Sequence, residues 1–142
     1  MTRSRLLARA LPAVVVVLGL SACTTSSPAP GTPSTSSAGQ FFPDVVALDP
    51  TTLSTTSTSV AVTLSSPYDT PARYADAIRV RSTDSTAIYG TVKLGHDHAT
   101  EQPFTRTLTG LHIPAGVTTV IVEGHDQVNG WGGRTLTVQV TS

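Results

Sequence analysis

The chain has 142 residues, with nine Lys and Arg against nine Asp and Glu, and only 13% of its residues are charged. That balance excludes a typical nucleic-acid binder, which needs clustered Lys and Arg to displace counterions. A single cysteine excludes a fold stapled by internal disulfides.

The first stretch reads as an address. Arg3, Arg5 and Arg9 form a basic start, and no acidic residue precedes Asp44. Leu11 to Leu20 is an apolar run built around Val14, Val15, Val16, Val17 and Leu18. Basic start, short apolar run and small residues, in that order, define a secretory signal. The run is about half the ~20 residues that span a bilayer, which disfavours the competing reading of an uncleaved membrane helix. Leu20-Ser21-Ala22-Cys23 follows. It resembles the lipobox of bacterial lipoproteins, in which the cysteine thiol receives a diacylglyceryl group. A signal peptidase then cuts before that cysteine. The chemistry explains the residue types: a nucleophilic thiol to alkylate, and small Ser21 and Ala22 for the protease to hold. The resemblance implies lipidation at Cys23 and cleavage between Ala22 and Cys23. An ordinary secretory signal with a stray thiol is the alternative.

Residues 1–22 are therefore expected to be a lipoprotein signal peptide. The mature protein is expected on the extracytoplasmic side of the cell membrane, held there by its lipid. Removing residues 1–22 takes away three of the nine basic residues and none of the acidic ones, so the mature chain is net acidic.

Residues 24–39 consist only of Thr, Ser, Pro, Ala and Gly. Such a segment cannot bury enough apolar surface to offset its ordering entropy. Residues 23–39 are expected to be the lipidated cysteine and a disordered linker, spanning roughly 20–25 Å as a coil. Its Ser and Thr residues, set among Pro28, Pro30 and Pro33, suit O-glycosylation by composition.

From residue 40 onward the apolar pattern has period two. Val60, Val62 and Leu64 alternate with polar or small residues, and Ile78 and Val80 alternate with Arg79 and Arg81. Ile88, Val92 and Leu94 share one parity, as do Phe104, Arg106 and Leu108, and as do Val120 and Val122. Leu136, Val138 and Val140 alternate with Thr135, Thr137 and Gln139. This is the pattern of half-buried strands, and β-branched Thr and Val suit a pleated surface. Turn residues divide the runs. Ser66-Pro67 ends one strand, Ser82-Thr83-Asp84-Ser85 makes a hairpin, and Pro114-Ala115-Gly116 precedes the Val117 strand. Gln127 to Gly133 is read as the loop before a last strand at residues 134–141. Residues 40–142 are thus expected to form an all-β fold, an antiparallel immunoglobulin-like β-sandwich of about seven strands, with an open barrel as the alternative.

Four motifs stand in the second half: His96-Asp97-His98, Glu101-Gln102-Pro103-Phe104-Thr105-Arg106, Ile113-Pro114-Ala115-Gly116-Val117 and Gly130-Trp131-Gly132-Gly133. Together they resemble a group of small bacterial lipoproteins with an immunoglobulin-like domain. The resemblance implies fold and location and no established biochemical role.

The chemistry-bearing residues gather around these motifs. His96, His98, His125 and Asp126 are the candidate metal ligands, with Zn or Cu as the ion their donor types suit. Strand parity opposes convergence, because His125 shares the parity of Glu123 while Asp126 points inward with Val120 and Val122. The competing reading is a structural polar network at one pole of the sandwich, formed by Arg106 with Glu101, Asp97 and Asp126. An inward Arg needs a carboxylate, and its removal is then expected to be strongly destabilising. His96 and His98 continue the inward parity of Ile88, Val92 and Leu94, and removing His98 is expected to cost little if it is merely a surface residue. Trp131 is expected to fold as a lid over the sandwich end, its alternative being an exposed contact residue. No G-x-S-x-G, P-loop, G-x-G-x-x-G or H-E-x-x-H motif occurs.

The leading expectation is a non-enzymatic, cofactor-free lipoprotein whose immunoglobulin-like domain contacts a protein or envelope partner. An extracytoplasmic metal-binding lipoprotein is second, and a small hydrolase third.

Overall fold

The computed structural model describes residues 40–142. The expected signal peptide at 1–22, its processing site at Ala22 and Cys23, and the linker to residue 39 lie outside the described residues.

Eight strands follow one another without a helix among the described residues: β1 (Asp44–Asp49), β2 (Leu53–Ser54), β3 (Ser59–Ser65), β4 (Ala75–Arg81), β5 (Ile88–Lys93), β6 (Phe104–Thr109), β7 (Thr119–Asp126) and β8 (Gly130–Thr141). They form two sheets, ordered β1-β3-β6 and β2-β8-β7-β4-β5. All pairings are antiparallel except that β2 runs parallel to β8. The chain changes sheet on either side of the short β2, then between β3 and β4, between β5 and β6, and again between β6 and β7. Those crossings make the Greek-key arrangement of an immunoglobulin-like sandwich, with a fifth-strand extension beside β4.

The core is what period-two alternation dictates. Val60, Val62 and Leu64 of β3 and Phe104 and Leu108 of β6 point inward from the smaller sheet. Ile78 and Val80 of β4, Val120 and Val122 of β7, and Val138 and Val140 of β8 meet them from the larger one. Leu94, Leu111 and Ile113 close the core from the connecting loops. The expected β4–β5 hairpin is present. Ser82 N–H donates to the Ala87 carbonyl at 2.9 Å, and the Asp84 carboxylate accepts from the Ser82 hydroxyl and from the Thr86 amide and hydroxyl. Those bonds, the Ser82 hydroxyl foremost, hold the Asp84 carboxyl down to about 2.

Three expectations need correction. The last strand begins at Gly130, four residues before the expected start, and the loop shrinks to Gln127, Val128 and Asn129. The Asp126 carboxylate accepts the amides of Val128 and Asn129 at 3.1 and 2.7 Å, an Asx turn that reverses the chain at once. Ile88 is exposed, because a bulge in the β4–β5 pairing sets it opposite Arg81 on the outer face. β1 was not foreseen as a strand. Its own bulge between Val45 and Ala47 breaks the alternation that would have marked it.

One packing detail positions the start of the domain. Phe42 and Pro43 lie across β7 and β8 where both strands lack side chains. A Cβ on Gly124 would come 2.6 Å from Pro43 Cγ, and one on Gly132 would come 2.5 Å from the Phe42 ring. Asp44 then accepts the Arg134 amide at 2.7 Å. The glycines of the Gly-Trp-Gly-Gly segment thus form a notch that seats the incoming chain.

Candidate functional site

The polar residues fall into two groups. The first plugs one pole of the sandwich, where β3–β4, β5–β6 and β7–β8 loops meet. Gln102 ties two of these loops: its carbonyl oxygen accepts the Ser66 amide at 2.7 Å, and its amide nitrogen donates to the His98 carbonyl at 3.0 Å. Asp69 is buried and accepts from two backbone amides, Ala75 and His98, each at 3.1 Å. His98 is only 2% exposed, and its ring stacks on Phe104 with centroids 3.8 Å apart. Its Nδ1 lies 3.7 Å from Asp69, beyond hydrogen-bond reach, and is buried without a partner. Burial pushes the His98 pKa down, and the neighbouring Arg106 and His96 add to the effect. The ring is therefore a neutral part of the core wall.

Beside it, Asp126 is fully buried and meets Arg73, whose Nε donates to both carboxylate oxygens at 3.2 and 3.1 Å. Burial alone would raise the Asp126 pKa, but the Asn129 amide, Arg73 and the Val128 amide outweigh it and leave the carboxyl below its usual range. Arg73 also donates to the Phe41 carbonyl and lies over the Tyr68 ring at 4.7 Å. Burial, followed by the charge of Asp126, pushes the Tyr68 phenol well above its ordinary pKa.

This geometry redistributes the residues singled out from sequence. His96 is exposed, with Nδ1 on the Asp97 carbonyl at 2.8 Å. His98 faces Phe104, His125 pairs with Asp76, and Asp126 pairs with Arg73. Among the described residues, no group of three or more His, Cys, Asp or Glu side chains is placed to hold a metal ion. The opposed parity of His125 and Asp126 accounts for this: one faces out of β7 and the other in. The Arg106 network is also smaller than expected. Arg106 does share the inward parity of Phe104 and Leu108, but its guanidinium reaches out along the sheet edge to Glu101 at 2.8 Å. That pair is solvent-facing, at 31% and 50% side-chain exposure. Asp97 serves its own loop by accepting the Ala99 amide, and Asp126 belongs to Arg73. The buried acid–base partner of this pole is thus Arg73, which sequence reasoning missed. It lies in the β3–β4 loop, 53 residues before Asp126, and no local pattern joins them. Of the two histidines with inward parity, His98 is buried and His96 is exposed; His98 is therefore not a surface residue, because Asp69 and Gln102 bind its backbone and draw the loop inward.

The second group lies on the outer face of the five-stranded sheet. Register puts Lys93, Ala77, His125 and Trp131 in one row across β5, β4, β7 and β8. The next row holds Thr91, Arg79 and Glu123, and the third Ile88, Arg81, Ile121 and Thr137. Glu123 is buried to 5% exposure between Arg79, which pairs with it closely, and Arg81, whose Nε lies 3.0 Å away. The Arg79 guanidinium stacks over the Trp131 ring at 3.9 Å, and His125 meets the same ring edge-on at 4.7 Å. Trp131 is therefore not a lid over the sandwich end. It sits within β8, opposite His125, and the pleat turns it outward, where it is half-buried beneath Arg79. The charged centre of this face was legible in the alternation of β4 and β7. The joining of Arg79 to Trp131 was not, because it depends on β8 starting early.

A stretch of 82 residues is 39% identical to a protein of Halomicrobium mukohataei named "Putative lipoprotein". The match covers 58% of this chain and 39% of that protein, so the chain spans well under half the relative's length. No family model matches the chain, and no solved structure matches it significantly.

Proposed function

We propose that this protein is a lipid-anchored, extracytoplasmic lipoprotein whose sandwich binds an envelope protein through the outer face of its five-stranded sheet, without catalysis. The anchor reading is supported by the Leu20-Ser21-Ala22-Cys23 stretch and by the name of the relative. The binding reading is carried by one observation, the Arg79–Trp131 stack beside Arg81 and Glu123. Trp and Arg are the side chains that most often dominate binding energy, and here neighbours already hold them in place. Arg79, Arg81 and Lys93 outnumber Glu123 and Asp76 on this face, so it favours a partner with an acidic patch. A non-catalytic role fits how the acids are used. Asp126, Glu123 and Asp76 are each committed to a cation or an imidazole.

The test is photo-crosslinking in the cell. A photoreactive residue at Lys93 should give a discrete protein adduct. One at Thr63, on the outer face of the opposite sheet, should not. Equal labelling at both positions, or none at Lys93, would sink the binding reading.

A further inference from the structure

The pole that receives the incoming chain carries two of the four large hydrophobic side chains exposed among the described residues. Phe41 is 58% exposed and Val128 is 68% exposed. They are neighbours, because the Phe41 carbonyl accepts from Asn129 at 3.0 Å and from Arg73. The two hydrogen bonds fix the Phe41 backbone, and the glycine notch fixes Phe42 and Pro43 behind it. The rings of exposed residues around them are uncharged: Thr70, Pro71 and Ala72 in one loop, Gln127 and Asn129 in the other. Asp69 and Asp126 are buried, and Asp126 is matched by Arg73, while the half-buried Asp44 and Asp76 are held by the Arg134 amide and by His125. Asp97 and Glu101 belong to the β5–β6 loop, where Arg106 neutralises Glu101.

We propose that this pole is a membrane-contact surface: Phe41 and Val128 rest in the headgroup region of the bilayer that holds the lipid anchor, with Arg73 facing the phosphates. The inference rests on the anchor reading and adds an orientation to it. Its argument is where the chain comes from. Sixteen residues, 24–39, separate Cys23 from Gln40, and a chain of that length spans at most about 55 Å. An anchored domain therefore meets the bilayer at high effective concentration, so a weak contact is populated. Only a surface that tolerates desolvation gains from that proximity. A pole with two exposed apolar side chains, and with its acids either buried or held by a hydrogen-bond partner, does so, as an interfacial anchor does. The consequence is functional. The sandwich stands with its β7–β8 turn toward the lipid and its β4–β5 hairpin outward, so the Arg79–Trp131 face is presented sideways, along the membrane.

The test uses the lipidated full chain in phospholipid vesicles. Lipidation consumes Cys23, so Val128→Cys leaves one free thiol for a nitroxide label. Thr83→Cys, in the outward hairpin, is the control; both positions are exposed and neither supports the core. The expected result is that the label at 128 loses access to a water-soluble relaxation agent when the protein is on vesicles, while the label at 83 does not. Adding Phe41→Ser should restore access at 128. Equal access at both positions in vesicle-bound protein overturns the contact and leaves the anchor standing. Protein that stays in the aqueous phase, with Cys23 itself labelled, overturns the anchor and the contact with it.

Discussion

Asp126→Ala isolates what holds the pole together. The carboxylate is completely buried and accepts from three donors: Arg73, the Val128 amide and the Asn129 amide. Hydrogen bonds to a charged acceptor are each worth about 1.5–3 kcal/mol. The two amides sit in an exposed turn and regain water, and Arg73 is 27% exposed and rehydrates in part. Each loss therefore falls below that range, at about 1 kcal/mol, and the three together come to about 3 kcal/mol. For a domain of about 100 residues that lowers the melting temperature by roughly 12–24 °C. Asp126→Asn keeps an oxygen for the amides and forfeits the ion pair, so it should fall between the two at about 1–2 kcal/mol. The assay is thermal and urea unfolding of both variants at neutral pH. It should be repeated on an Arg73→Met, Asp126→Ala double mutant, whose cost should be less than the sum of the single ones. An Asp126→Ala variant within about 0.5 kcal/mol of wild type would refute the reasoning, because surface changes of no consequence lie in that range. The pH dependence carries a definite sign. The folded-state pKa of Asp126 lies below its ordinary value. Its contribution is therefore complete above about pH 4, the unfolded carboxylate value, and disappears as pH falls through the lower folded-state value.

The same geometry sets other outcomes. His98→Ala should cost about 3 kcal/mol, since it removes a buried ring stacked on Phe104; a variant that melts with the wild type would show the ring to be dispensable. Because the folded-state pKa of His98 is lowered, its neutral form stabilises the fold above about pH 6.5, and that stability declines as pH falls toward the folded value. His98→Phe should flatten the stability curve over that range, and an unchanged slope would assign the dependence elsewhere. Arg106→Met should melt close to wild type because its partner Glu101 faces solvent, and a large loss would mean the pair is shielded. Cys23→Ser should move the protein from the detergent phase to the medium, or leave a longer precursor. A mutant that still partitions into detergent would end the lipid-anchor reading.

Much of the sandwich was legible because alternation is a strong signal where one face of a strand is buried. β3, β4, β6 and β7 each carry it, and their inward residues are the core. Where a bulge interrupts the pleat, the signal fails. β1 was invisible for that reason, and Ile88 was assigned to the core when the β4–β5 irregularity turns it outward. The opposed directions of His125 and Asp126 were readable, and with them the reason that the histidines do not gather. Partnerships between segments distant in sequence were not readable. Asp126 is 53 residues from Arg73 in sequence, and Asp69 reaches the His98 amide across 29. A charge in a sequence announces that it needs a partner without naming one.

The four motifs of the second half now read as parts of a fold. His98, Gln102 and Phe104 join the loops at one pole, where Gln102 bonds two loops and Phe104 carries the His98 ring. The glycines of Gly130-Trp131-Gly132-Gly133 are small because Phe42 and Pro43 pass over them. A larger residue at Gly132 would collide with the Phe42 ring and free the incoming chain from its seat. Trp131 differs from its neighbours in the motif. The notch requires only that positions 132 and 133 lack side chains, and nothing in the seating of Phe42 requires an aromatic at 131. The core does not use Trp131 either, since it faces out of the sheet beneath Arg79. A large side chain that serves neither the core nor the notch, yet is held in place by a cation and an imidazole, is the residue on which a binding role for this domain has to rest.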